Sequence, residues 1–153
     1  KIYKVAYEVG KRIAQEGWIL LCGGGPGVME AACRGAQENK GLTVGILPGA
    51  DSATANEYLD VKLPTAMGYM RNALIVRAAD AIIALDGEYG TLSEIAFAFN
   101  DPKPIVGIAT WKIKGLTQVA DAAAAIGYIQ RIQQGKRLCS PERKYKNVSK
   151  KRN

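Results

Sequence analysis

Cys22-Gly-Gly-Gly-Pro-Gly-Val-Met-Glu30 and Asp86-Gly-Glu-Tyr-Gly-Thr-Leu-Ser-Glu94 are the two stretches of this chain whose residue types and spacing suit chemistry. Each follows an apolar run and opens what reads as a helix. Glycine lets backbone N–H groups approach a ligand with no Cβ in the way, and a helix start adds unpaired donors and the positive end of its dipole. A phosphate is the natural guest for such a pair. The plain alternative is two tight strand-to-helix connections that bind nothing. One glycine cluster would not decide between them. Two, at the ends of parallel strands, fall at the carboxyl edge where open α/β sheets collect ligands.

Two charged residues near these loops have both a structural and a chemical reading. Thr91-Leu-Ser-Glu94 fits a capping box, with Thr91 capping the helix and Glu94 reaching back to a free backbone donor. Alternatively, Glu94 is a carboxylate at the rim of a phosphate site, able to stabilise positive charge on a ribose as its bond to a base breaks. The local pattern favours the cap. Arg71 reads equally as a solvated helix arginine or as a partner for a nearby acid. The chain has no histidine, which excludes Ser-His-Asp and Cys-His machinery and leaves acid-base work to carboxylates, Lys, Tyr or Cys. Cys22, Cys33 and Cys139 are odd in number and form no CxxC pair, which argues against a disulfide framework and a zinc site. No metal ligands are expected.

The elements that must position these loops follow from periodicity. Residues 2–16 place Ile2, Val5, Ala6, Val9, Ile13 and Ala14 at helical spacing, with Gly17 as a stop. A strand over 18–22 leads into the first loop, and a small-residue helix over 28–37 leaves it. Strands are predicted over 42–47 and 58–63, with a polar connection over 50–57 between them. A helix over 66–79 carries Arg71 and Arg77. A strand over 81–85 then leads into the second loop, followed by a helix over about 92–99. Residues 105–109 read as the last strand and 117–134 as the last helix. Strands alternating with helices, some as continuous apolar runs, predict a Rossmann-like α/β fold, a parallel sheet with helices on both faces. Such folds begin on a central strand, whereas this pattern begins on a helix, so the expectation is that a first strand is missing from the sequence.

The 153 residues, 48% of them hydrophobic, suit one domain, placed over 1–135. The net charge of +7 resides wholly in the segment 136–153, a basic tail with eight Lys or Arg and one acid, which is expected to be flexible. The body, with 13 basic and 13 acidic residues, is neutral, so nucleic acid is not the expected partner. No apolar run approaches membrane-spanning length and no signal peptide is visible. A cytoplasmic protein is expected.

The ordered set Gly23-Gly-Gly-Pro-Gly27-Val-Met-Glu, Gly68-Tyr-Met-Arg71-Asn72, Arg77-Ala-Ala-Asp80 and Gly87-Glu-Tyr-Gly90-Thr91-Leu-Ser-Glu94 resembles the LOG ("lonely guy") superfamily, also called lysine-decarboxylase-like. The run Gly27 to Ala36 and the Arg71-Asn72 pair are most similar to the branch containing molybdenum cofactor carrier proteins. The likeness spans roughly residues 1–112. It implies a nucleotide-type pocket, a homodimer or homotetramer, and no required cofactor. The bound ligand would be a nucleotide, phosphate or molybdopterin-type molecule. In the LOG enzymes a nucleoside 5′-monophosphate is hydrolysed to free base and ribose 5-phosphate. Carried over, Arg71 and Glu94 would be the catalytic pair, with Gly23, Gly24, Gly25, Gly27, Asn72, Gly87, Gly90 and Thr91 binding the ligand. The alternative implied is a noncatalytic pterin carrier. The chain departs from the enzymes' Pro-Gly-Gly-x-Gly-Thr-x-x-Glu pattern at Asp86 and Glu88, whose charges weaken phosphate binding, and has Asn72 where they have lysine.

Overall fold

The computed structural model describes residues 1–138. The order is α1 (Ile2–Gln15), β1 (Leu20–Cys22), α2 (Val28–Glu38), β2 (Thr43–Leu47), β3 (Val61–Pro64), a 3₁₀ turn (Gly68–Arg71), α3 (Asn72–Ala78), β4 (Ile82–Leu85), α4 (Tyr89–Asn100), β5 (Ile105–Ile108), β6 (Thr117–Val119) and α5 (Ala122–Leu138). All strand pairings are parallel, in two three-stranded sheets ordered β1-β2-β3 and β4-β5-β6. The two strands that carry the glycine loops, β1 and β4, are each an edge of their sheet.

Helices cover both faces, as alternation along β5 shows. Val106 and Ile108 pack with Val9, Ala125 and Ile129, whereas Ile105 packs with Val76, Ile95 and Ala98. Successive strand residues point to opposite faces, so α1 and α5 lie on one side of this sheet and α3 and α4 on the other. Ile13 of α1 contacts both the cluster around Leu20 and Leu47 and the one around Val106, so one helix ties the two sheets together.

The α1–α2 contact is close because glycines make it so. A Cβ on Gly10 would meet the Ala32 carbonyl oxygen at 1.8 Å, and one on Gly35 would meet that of Tyr7 at 2.1 Å. The small residues Ala31, Ala32, Cys33 and Ala36 complete the buried face of α2. That packing fixes where α2 starts, and so where the first glycine loop must turn.

The structure differs from the sequence expectations at three boundaries. Residues 117–119 form an additional edge strand, and the last helix begins only at Ala122, where Asp121 accepts the Ala124 N–H at 2.9 Å. An Asp ahead of an alanine run is an N-terminal signal, and it wins over periodicity counted from Thr117. The helix expected over 66–79 is broken by positive φ at Ala66 and Gly68, so that Arg71 closes a 3₁₀ turn and Asn72 opens α3. Finally, α4 starts at Tyr89 with Glu88 at the N-cap, which places Thr91 and Glu94 inside the helix. The tail expected over 136–153 contributes the end of α5; the rest of it lies outside the described residues.

Candidate functional site

The first glycine loop follows β1 and turns through Gly24 and Gly27, both at positive φ. Gly24 is confined further, because a Cβ there would come within 2.3 Å of Leu47. Its N–H donates to Cys22 Sγ at 3.3 Å, while the Gly27 N–H donates to the Glu30 carboxylate at 3.4 Å. Asn56 braces the loop from the far side: its backbone N–H donates to the Gly24 carbonyl at 2.9 Å, and its amide reaches the Gly24 and Gly25 carbonyls at 3.2 and 3.1 Å. Asn56 belongs to the polar connection that the sequence marked only as a loop. No spacing in the chain announces that it is buried.

The second loop follows β4. Asp86 and Gly87 both have positive φ, and a Cβ on Gly87 would lie 2.3 Å from the Thr91 side chain, so Thr91 folds onto the glycine. Trp111 Nε1 donates to the Glu88 carbonyl at 3.2 Å, pinning the turn from outside. Gly90 is open: the nearest atom to a Cβ there would be Asn72 Nδ2, 4.0 Å away. Asp86 and Glu88 are exposed.

Arg71 and Asn72 bring the two loops together. Buried Arg71 donates through Nε to the Ile46 carbonyl at 2.7 Å, through Nη2 to the Gly23 carbonyl at 3.1 Å, and through Nη1 to Asn72 Oδ1. Asn72 Nδ2 then donates to Ser93 Oγ at 2.8 Å and to the Gly90 carbonyl at 3.4 Å. A continuous hydrogen-bonded path thus runs from Gly23 to Gly90. A Cβ on Gly23 would sit 2.4 Å from Arg71 Nη2, so glycine is what admits the guanidinium. Because its planar fork is committed to protein oxygens, Arg71 acts as a brace and a fixed positive charge. Burial pulls the guanidinium below its ordinary pKa, with Glu94 and then Cys22 opposing.

Glu94 faces this charge from α4. Burial holds its carboxyl above the usual carboxylate range, and Arg71 partly offsets the shift. The side chain accepts no helix-cap bond, since Glu94 lies well inside α4 and its N-cap is Glu88. The capping-box reading therefore fails, because the helix begins earlier than the apolar pattern indicated. Cys22 joins the same group: its thiol is drawn down chiefly by hydrogen bonding to Cys33, with burial opposing, and Arg71 and Glu94 act on it in opposite directions. A cavity of about 380 Å³ lined by Trp18, Asp80, Ala81, Pro104, Ile129, Ile132 and Gln133 lies at the other end of the strands, since these residues precede β1, β4 and β5 or belong to α5. It holds none of the glycine-loop donors and lies away from Arg71 and Glu94, so the candidate site is the carboxyl edge. Among the described residues no group of His, Cys, Asp or Glu is arranged to hold a metal ion.

Fold and site together define a Rossmann-like α/β protein with a paired glycine-loop edge. The SLOG cluster4 family model matches residues 1–135, and the chain belongs to that family. It is 43% identical over 106 residues to an uncharacterized protein of Archaeoglobus fulgidus, covering 69% of this chain and 70% of that one. A cytokinin riboside 5′-monophosphate phosphoribohydrolase of Mycobacterium tuberculosis is 32% identical over 139 residues, covering 84% and 74%. Among solved structures, the molybdenum cofactor binding protein of Rippkaea orientalis is 33% identical with a TM-score of 0.82, over 86% of this chain and 88% of that one. The molybdenum cofactor carrier protein of Chlamydomonas reinhardtii is 31% identical with a TM-score of 0.79, over 87% and 89%. The LOG-like family, with molybdenum cofactor carriers among its structural neighbours, is the one the motifs indicated.

Proposed function

We propose that the protein binds a nucleoside 5′-monophosphate at the carboxyl edge and hydrolyses its N-glycosidic bond, releasing free base and ribose 5-phosphate. The observation that carries this reading is the half-buried Glu94 carboxyl, raised by desolvation and opposed by the charge of Arg71, which with Asn72 braces the two glycine loops. Backbone N–H groups of Gly25 and of the first turn of α4, with Gly87, Gly90 and Thr91 shaping that turn, hold the phosphate. Ionised Glu94 stabilises the positive charge that develops at C1′ as the bond to the base breaks; water adds to C1′ and its proton passes to the departing base. No metal or cofactor is called for in this sequence of steps. The relatives active on cytokinin riboside monophosphates support the reaction class without fixing the base.

A second reading, a noncatalytic carrier of a phosphorylated pterin, is favoured by two observations. Asp86 and Glu88 place negative charge on the second loop, and the structural neighbours include molybdenum cofactor carriers. Under either reading the partner is a phosphorylated small molecule. We also place the protein in the cytoplasm as a homodimer or homotetramer, with nucleic acid and membranes not among its partners. Among the described residues no helix is long and apolar enough to cross a membrane. Incubation with a panel of nucleoside monophosphates separates the two readings. Release of base with stoichiometric ribose 5-phosphate supports the enzyme; no release from any member, together with retention of molybdopterin, supports the carrier.

A further inference from the structure

Cys22 and Cys33 stand outside both functional readings, yet they flank the first glycine loop. Cys22 ends β1 and Cys33 lies on the buried face of α2, and their sulfurs are 3.5 Å apart. Cys22 is half-buried, whereas Cys33 is wholly enclosed. Both sulfurs are wired to the loop: the Gly24 N–H donates to Cys22, and Asn56, which holds the Gly24 and Gly25 carbonyls, directs its amide at Cys33 from 3.8 Å. A disulfide requires an approach of about 1.5 Å from this separation, within the reach of small side-chain and loop adjustments.

We propose that Cys22 and Cys33 form a reversible thiol–disulfide pair, oxidised by hydrogen peroxide, that staples the first glycine loop between β1 and α2. Cys22 is the attacking sulfur, because it is the less enclosed of the two and its thiolate is favoured chiefly by the hydrogen bond with Cys33, and further by the Gly24 N–H. Its thiolate displaces hydroxide from the peroxide: the O–O bond breaks, an S–O bond forms, and hydroxide takes up a proton to become water. Cys33 then loses its proton and attacks Cys22 Sγ; the S–O bond breaks and the hydroxyl leaves with that proton as a second water. Two thiols are oxidised and one hydrogen peroxide is reduced. A dithiol such as dithiothreitol reverses the bridge by exchange. The closed ring contains Gly23 to Gly27, so the loop's freedom falls when the bridge forms. The inference goes beyond the proposed hydrolysis and is read without any nucleotide, so failure of the enzyme assay leaves it standing.

The test uses the full chain carrying Cys139→Ser, treated with hydrogen peroxide and then with an alkylating reagent. No Lys or Arg lies between Ile13 and Cys33, so trypsin releases both cysteines on one fragment, 13–34. That fragment is expected to lose two hydrogens and both alkylation sites, and to recover them after dithiothreitol. In Cys33→Ser the sulfenic acid on Cys22 has no resolving thiol and is trapped by dimedone; in the protein retaining both cysteines the adduct does not accumulate. Amide exchange over residues 23–27 is expected to slow by roughly tenfold in the bridged form. Alkylation unchanged by peroxide, or dimedone labelling equal with and without Cys33, overturns the pair. A bridge that forms while exchange in the loop stays the same overturns the staple. Because the mass and exchange measurements need no change at either cysteine, they stand even where Cys33→Ser fails to fold.

Discussion

At the scale of single residues, Glu94 is the group on which the proposed hydrolysis turns. Burial raises its carboxyl above the ordinary range against the pull of Arg71. The folded state therefore favours the protonated acid, and the stability this contributes is full below the unfolded carboxyl's pKa and is lost as pH rises through the raised value. Glu94→Gln is expected to match the parent in denaturant midpoint in acid and to exceed it at neutral pH. The same change is expected to lower kcat by about 10²- to 10⁴-fold while leaving AMP affinity within about threefold. Since the reaction uses the ionised form, the acidic limb of the kcat profile is expected above the usual carboxylate range. A limb at the ordinary glutamate value would mean that Glu94 is not the group in use. Much of this site was legible in the chain: Arg71, Asn72 and the glycines are named by their motifs, and the structure links Gly23 to Gly90 through the two polar residues. Asn56 and the Cys22–Cys33 contact were not legible, because both depend on neighbours that only folding supplies. A lone Asn in a polar stretch has no periodicity to betray that its amide faces inward.

At the scale of elements, the loop positions are set by how closely α1 and α2 approach. Gly10→Ala and Gly35→Ala each drive a methyl into a backbone carbonyl of the facing helix, at 1.8 and 2.1 Å, and backbone cannot step aside as a flexible side chain can. Each is expected to cost about 3 kcal/mol or more in chemical denaturation. Gly127→Ala in α5 is the control: a Cβ there meets only Arg131 Nη1 at 3.5 Å, so the change should be neutral or stabilise by up to about 1 kcal/mol. Equal losses at all three positions would show that helix propensity, and not the close contact, sets the effect. The elements themselves were largely readable, since apolar periodicity marks α1, and short apolar runs mark β1, β2, β4 and β5. Boundaries were misplaced where local chemistry outweighs periodicity: Asp121 delays α5, positive φ at Ala66 and Gly68 breaks the stretch before α3, and the Gly87 turn starts α4 early. Nothing in the sequence marks β6, because Thr117 and Gln118 are polar and exposed and three residues are too few to show alternation.

At the scale of the whole molecule, two sheets with helices on both faces place both glycine loops at one edge, while Tyr69 and Tyr89 next to that edge remain 85% and 80% exposed. Apolar side chains this open beside a site are expected to be covered when two or four copies associate. Light scattering of a Tyr69→Asp, Tyr89→Asp double variant is expected to give a smaller species than the parent; a monomeric parent, or identical masses, would contradict association through this surface. The central claim, that the loops joined by Arg71 and Asn72 form one phosphate site beside Glu94, is tested most directly by a crystal structure of Glu94→Gln with AMP bound. The 5′-phosphate is expected to be hydrogen-bonded to backbone N–H groups of both loops, with C1′ facing residue 94. A phosphate held by one loop only, or a nucleotide bound at the opposite end of the strands near Trp18 and Asp80, would contradict that claim.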